Sequence, residues 1–209
     1  MRRRFELILR YLFMNFYYQI EMFVVEMADK YDEKGKKILD VGAGTGKHKE
    51  YFKKISYTAC DVSQNKERTI DIVGDFIDEP KKFKKEDYDY VLCIQVLEHF
   101  TDPKTAFSHF NRVLKPGGRL FLTTNFIYQT HMEPVDYFRF TKYGLNLLGE
   151  KNGFKVERVK PQGGIFSVLV YVLVTLPLRL GLEKNKWLYY LYLVIFSPVI
   201  ILGNLLAVF

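Results

Sequence analysis

The chain reads as an α/β protein: a doubly wound, mostly parallel sheet with helices on both faces. Three observations predict this. Apolar runs of strand length alternate with helical patterns over residues 36–160. The first run, Ile38-Leu-Asp-Val41, leads directly into Gly42, Gly44 and Gly46 at alternate positions, so a buried strand turns sharply and leaves its backbone open to close approach. Breakers such as Pro116-Gly117-Gly118 fall between the periodic segments and not within them.

Element by element, residues 5–29 lack Gly and Pro and carry Phe5, Leu9, Leu12, Phe13, Phe16, Ile20, Phe23, Val24 and Met27 at three- and four-residue spacing. That stripe predicts an amphipathic helix. Arg2, Arg3, Arg4 and Arg10 at its start suit a membrane surface, and packing on the chain's own core suits the stripe equally. Strands are expected at 37–41, 57–61, 69–73, 88–95, 119–124 and 154–159, with helices at 47–54, 105–114 and 141–151. Asp102 and Pro103 are placed to start the helix at 105–114. Residues 165–178 and 187–209 hold no charge. The second stretch is long enough to cross a bilayer, and Trp187, Tyr189, Tyr190 and Tyr192 gather at one end beside Lys184 and Lys186. The first stretch reads as a membrane-associated helix, with a last sheet strand as its rival. Three regions follow: an N-terminal helix over 1–34, a ligand-binding domain over 35–164 and a hydrophobic region over 165–209.

A formal charge of +7 favours anionic surfaces, but no zinc-type Cys/His spacing and no basic strand interleaved with aromatics is present, so nucleic acid is not an expected partner. Cys60 and Cys93 sit in apolar strands and read as buried free thiols of a reducing compartment. Glu6 and Arg10 interrupt the first apolar run, which therefore does not read as a secretory signal.

The segment from Ile38 to Gly46, Asp61 closing the second strand, Val73-Gly-Asp75-Phe76, and the run Val96-Leu-Glu-His99, Asp102-Pro103, Arg112-Val-Leu-Lys-Pro-Gly-Gly118 together resemble the class I S-adenosylmethionine-dependent methyltransferases, which share a Rossmann-like fold. The motifs cover residues 36–165 in the family's order. The resemblance implies S-adenosylmethionine as cofactor. Asp40 would then orient the ammonium group, and Gly42, Gly44 and Gly46 would lie along the methionine portion. Asp61, twenty-one residues after Asp40, would accept from the ribose hydroxyls. Asp75 would accept from the adenine amino group, with Phe76 giving a backbone N–H and an apolar wall, and Gln95 would stand where the methyl group emerges.

A second stretch, His131-Met-Glu-Pro-Val-Asp-Tyr-Phe-Arg-Phe-Thr141, is similar to methyltransferases associated with surface-polysaccharide synthesis. It implies O-methylation of a glycan or lipid-linked sugar at the cytoplasmic face of the cell membrane. A lipid or quinone-type acceptor, and a membrane-bound cofactor-binding protein without turnover, are the competing readings. A hydroxyl acceptor gains from a base near neutrality. His131 and His99 are the candidates, while His48 reads as surface or cofactor-adjacent packing and His109 as structural or solvated. Asp136 and Arg139 either bind the substrate or pair with each other. No facial His/carboxylate spacing is evident, so no metal is expected.

Overall fold

The computed structural model describes residues 11–12 and 15–207. The chain divides into two units, residues 24–160 and residues 1–23 with 161–209. Helix α1 (Asn15–Tyr31) contributes to both. Of the expected N-terminal stripe, Phe5, Leu9, Phe13 and the arginines Arg2, Arg3, Arg4 and Arg10 lie outside the described residues.

The larger unit is built on five parallel strands, β1 (Lys37–Val41), β2 (Ser56–Asp61), β3 (Ile72–Val73), β4 (Tyr88–Ile94) and β5 (Leu114–Thr123), in the order β3-β2-β1-β4-β5. Central strands of a parallel sheet are covered on both faces, which is why β4 is buried at every position and Ile38 and Leu39 of β1 are inaccessible. Helices α2 (Pro103–Val113) and α3 (Lys142–Lys151) complete the unit. Asp102 caps α2 by accepting from the N–H groups of Lys104 and Thr105, with Pro103 supplying a ready-made first turn. Ala106, Phe107, Phe110 and Val113 on its inner face join Leu39, Val91 and Leu97 in the main core.

Three expected elements are shorter than their sequences suggest or absent. The helix expected at 47–54 is a 3-10 turn, Lys47–Tyr51. The Asp32 carboxylate takes the N–H groups of Lys53, Lys54 and Ile55 at 2.8–2.9 Å, which an extended helix would need for itself. β3 begins only at Ile72 because the side chains of Asn65 and Gln64 accept from the N–H groups of Thr69 and Ile70. Residues 154–159 form no strand. A strand needs a partner ladder, and the following segment that offered one is helix α4 (Ile165–Arg179). The seventh-strand reading of that segment is thereby overturned.

Asp89, with only a tenth of its side chain exposed, ties the start of the sheet together. It accepts from the Lys37 N–H at 2.9 Å, Lys36 Nζ at 3.1 Å and Lys115 Nζ at 2.7 Å. Burial alone would push its carboxyl upward, but these donors outweigh burial and hold it below the ordinary value. With the folded pKa depressed, the stabilisation is fully present above the unfolded value of about 3.9 and is lost as pH falls through the folded one. Asp89→Asn is expected to destabilise the protein by about 2 kcal/mol at neutral pH. Urea melts of wild type and variant should converge below about pH 4; a constant gap down to pH 2 contradicts this.

In the smaller unit, α4 and α5 (Lys186–Leu206) pack on each other. The Tyr192 hydroxyl donates to the Leu173 carbonyl at 2.8 Å, and Gly203 leaves room for Val170, whose Cγ2 lies 2.4 Å from where a Cβ would stand. Asn204 Nδ2 donates to the Leu12 carbonyl and Asn15 Nδ2 to the Asn204 carbonyl, while Asn204 Oδ1 is buried without a partner. α5 is long and apolar enough to cross a membrane, with mean hydropathy 1.9.

Candidate functional site

The strand order reverses between β1 and β4, because the chain moves outward through β2 and β3 before returning to the other side of β1. Loops leaving the carboxyl ends of these strands open a crevice at such a point. Gly42, Gly44 and Gly46 follow β1, all with left-handed φ of 73°, 57° and 71°. The N–H groups of Gly42 and Ala43 both reach the Cys60 carbonyl at 2.9 Å, which bends the loop toward β2. Added Cβ atoms at Gly42 and Gly46 would strike Val96 and Thr69, each at 2.4 Å, whereas one at Gly44 meets nothing within 4 Å. Gly42 and Gly46 are thus needed for packing, and Gly44 borders open space.

Side chains from the loop after β2 lock this turn. Asn65 Nδ2 donates to the Gly44 carbonyl at 2.9 Å and to Thr69 Oγ1 at 2.6 Å, and Thr69 Oγ1 donates to the Thr45 carbonyl at 3.1 Å. Asp61 Oδ2 accepts the Gly44 N–H at 2.8 Å, while Oδ1 has only a long contact to the Ser63 N–H at 3.4 Å. A carboxylate with one oxygen on the loop and the other nearly unengaged suits a ligand diol. Asp40 is buried, accepts from the Tyr57 hydroxyl and lies 3.5 Å from His48 Nδ1, and its Oδ1 has no protein partner. Burial and then the adjacent Asp40 charge raise the Tyr57 phenol far above its usual range, so it stays a donor. The free Oδ1 leaves Asp40 one acceptor for an ammonium or a bridging water.

Two residues expected at the adenine also hold local structure. Asp75 Oδ1 accepts from the N–H groups of Ile77 and Asp78 at 2.7 and 3.0 Å, so this oxygen holds a turn. The Phe76 ring is 3% exposed and packs among Phe83, Phe100 and Phe110, which places it in the core and not along a ligand wall. His109 Nδ1 bonds the Phe76 carbonyl at 3.1 Å, a structural role. Gln95 follows β4 with φ +57°, its N–H and side-chain amide both on Thr123 of β5. A non-glycine residue held left-handed beside a crevice is a strained position of the kind found at functional sites. The thiol of Cys60, pushed up to about 12 by burial and then by Asp61, and that of Cys93, raised well above its usual value by burial, are packing groups.

Beyond β4 and β5 the loops bring His99 and His131 together, their ring centroids 4.8 Å apart in an edge-on arrangement. His99 Nδ1 bonds the Val135 carbonyl at 2.5 Å. His131 Nδ1 faces Asp136 Oδ2 at 3.1 Å, and the same oxygen accepts the His131 N–H at 2.9 Å. Arg139 grips Asp136 with two bonds of 2.6 and 2.7 Å and spends its remaining N–H groups on the carbonyls of Tyr128, Gln129 and Phe138. All five of its donors are engaged, so the pairing alternative describes Arg139 and Asp136 better than contact with a substrate anion. The Arg139 guanidinium, against the smaller opposing effect of burial, holds the Asp136 carboxyl well below the usual range.

Glu98 emerges as a residue for which sequence reasoning proposed no role. It is fully buried, with Oε2 accepting from Thr124 Oγ1 at 2.7 Å and Oε1 from Asn125 Nδ2 at 2.6 Å, and its carbonyl accepts from the N–H groups of Tyr137 and Phe138. One ligating atom each from Glu98, His99 and His131 lie within 4.8 Å of one another. Sequence spacing concealed this set because His131 joins it from a loop thirty-two residues after His99.

A model of a methyltransferase domain matches residues 10–159. The ubiquinone biosynthesis O-methyltransferase of Klebsiella pneumoniae is 30% identical over 103 residues, 43% of each chain, and that of Vibrio atlanticus 28% over 103 residues, 43% of this chain and 44% of its own. The chain thus spans less than half the length of these curated relatives. Haemonchus contortus phosphoethanolamine N-methyltransferase 2, solved with S-adenosyl-L-methionine, aligns with a TM-score of 0.54 at 20% identity over 78% of this chain and 43% of that one. A SAM dependent methyltransferase from Aquifex aeolicus aligns at 0.51 and 20% identity over 72% and 85%. At these identities the structural likeness is one of fold. The parallel sheet, the glycine turn against Asp61 and the matched domain together lead to one conclusion: the chain belongs to the methyltransferase domain family, with the class I fold and S-adenosylmethionine as its cofactor.

Proposed function

We propose that the protein transfers the methyl group of S-adenosylmethionine to a hydroxyl of a membrane-borne amphiphile, of the lipid or quinone type in preference to a free glycan. The supporting observation is the loop that carries His131. Phe126, Ile127 and Met132 are 56–66% exposed there, while Arg139, the cation an acidic sugar would need, is fully engaged. An apolar mouth without a free guanidinium suits an apolar acceptor. The partial likeness to ubiquinone biosynthesis O-methyltransferases points the same way.

The fit to the cofactor rests on the space at Gly44, the open Oδ1 of Asp61 and the unpartnered Oδ1 of Asp40. Asp61 would hold the ribose hydroxyls, Asp40 the ammonium group and the glycine turn the methionine portion. Bound S-adenosylmethionine supplies a methyl group activated by positive sulfur. The chain's own residues align the acceptor, worth several kcal/mol as an order of magnitude, and take its proton. With Nδ1 of His131 on Asp136, its Nε2 is the lone pair left to accept that proton. Membrane extracts incubated with radiolabelled methyl donor should yield label that partitions into organic solvent. Label confined to water-soluble glycan would overturn the acceptor class.

Attachment to the membrane is part of this reading. Val194 and Ile195 of α5 are 70% and 59% exposed, and Trp187 at its start 86%, as an interfacial anchor requires. Val194→Glu with Ile195→Lys is expected to move the protein from floated vesicles of anionic phospholipid to the soluble fraction. Unchanged flotation argues against α5 as the anchor.

A further inference from the structure

We propose that Glu98, His99 and His131 form a binding site for a divalent first-row transition ion, placed where the acceptor hydroxyl meets the cofactor. The inference rests on the methyl-transfer reading for its role, but the site itself stands on geometry. Two imidazoles and one carboxylate present ligating atoms within 4.8 Å of one another. Two histidines with one carboxylate, leaving positions open, are a recurrent set for catalytic zinc and non-haem iron.

The surroundings are those of metal-binding side chains. A ligating histidine donates its other ring N–H to a carbonyl or carboxylate, which fixes the tautomer and turns the remaining lone pair outward. His99 has the Val135 carbonyl on Nδ1, and His131 has Asp136, itself clamped by Arg139. Nε2 is left on both rings. Glu98 is oriented by Thr124 and Asn125 from the end of β5. No cationic side chain of the described residues pairs with this fully buried carboxyl group, whose only side-chain partners are Thr124 and Asn125. Asn125, 4% exposed, keeps an unpartnered Oδ1 while its Nδ2 donates to Glu98. A cation supplies what this cluster lacks. Imidazole donors favour zinc, iron, cobalt or nickel over magnesium, which demands oxygen.

Such an ion would take the acceptor hydroxyl oxygen in an open position and lower its pKa. The hydroxyl proton leaves to water, the oxygen forms a bond to the methyl carbon, and the carbon–sulfur bond breaks with its electron pair on sulfur. His131 then acts as a ligand and not as a free base.

The test uses the untagged full-length protein, stripped with chelator and titrated with Co²⁺ and then Zn²⁺. Visible d–d bands of Co²⁺ should saturate at one ion per chain and be displaced by Zn²⁺. His131→Ala and Glu98→Gln should each weaken Co²⁺ binding at least ~10-fold, and Asp136→Asn by ~10-fold through His131. S-adenosylmethionine affinity, measured on the same variants, reports that each has folded. No saturable Co²⁺ binding, or equal affinity in wild type and in folded His131→Ala, overturns the site. Intact cofactor binding with no metal would leave the methyl-transfer reading standing with His131 as a free base, whereas loss of cofactor binding in wild type would defeat that reading instead.

Discussion

Asp61→Ala lowers affinity for S-adenosylmethionine by about 100-fold, the largest binding effect expected of any single carboxylate here. A hydrogen bond to a charged group is worth about 1.5–3 kcal/mol, and Asp61 is placed to serve both the Gly44 N–H and a ligand diol. Truncation removes the ligand contacts and releases the turn, so the two losses compound. Asp61→Asn keeps an acceptor for Gly44 but loses the charge and turns the ligand-facing oxygen into an N–H donor, and its loss should be nearer 10-fold because the turn stays held. Calorimetric titration of the three proteins decides the matter. Equal affinities would remove Asp61 from the ribose.

The second large effect separates two glycines that look alike in sequence. Gly42→Ala destabilises the fold by about 3 kcal/mol, combining about 1–2 kcal/mol for a side chain at left-handed φ with about 1–3 for overpacking. Its new methyl would meet the stiff Val96 side chain at 2.4 and 2.8 Å. Adding Val96→Ala should restore the overpacking part and leave the φ part, a signature of direct coupling in a double-mutant cycle. Gly44→Ala, with nothing within 4 Å, should cost only about 1–2 kcal/mol, yet reduce cofactor affinity at least ~10-fold because the methyl occupies ligand space. Thermal melts with and without S-adenosylmethionine distinguish the pair. Normal binding by Gly44→Ala would displace the cofactor from this turn.

Legibility in the sequence tracked how local each cause was. β1 and β4 were readable because central parallel strands carry dense apolar runs, broken here only by Asp40 and Asp89 and the edge residue Lys37, and α2 because Asp102-Pro103 is a self-contained start signal. The 3-10 turn at Lys47–Tyr51 was not, since the residue that shortens it, Asp32, lies fifteen or more positions upstream. Residues 154–159 carry strand-like alternation but lack a partner, a fact about another segment's conformation. At the site, Asp40, the glycines and Asp61 were singled out by the motif resemblance, which falls within one strand–turn–strand stretch of the sequence. Glu98 escaped because the cluster it joins is completed by a histidine from a different loop. The Phe76 ring, expected as a ligand wall, lies in the core, because an aromatic beside a binding motif fits either place equally well until its neighbours are known.

The lock of Asn65 and Thr69 on the glycine turn bears on kinetics as well as affinity. With the Gly44 and Thr45 carbonyls already bonded, the turn is rigid before any ligand arrives, and its ordering entropy is charged to folding instead of binding. Cofactor capture should therefore proceed as a single diffusive encounter, with a rate linear in concentration and no slow rearrangement behind it. Asn65→Ala would convert that simple encounter into a two-step process whose observed rate saturates, making one surface amide the difference between a preformed receptor and one that must be moulded.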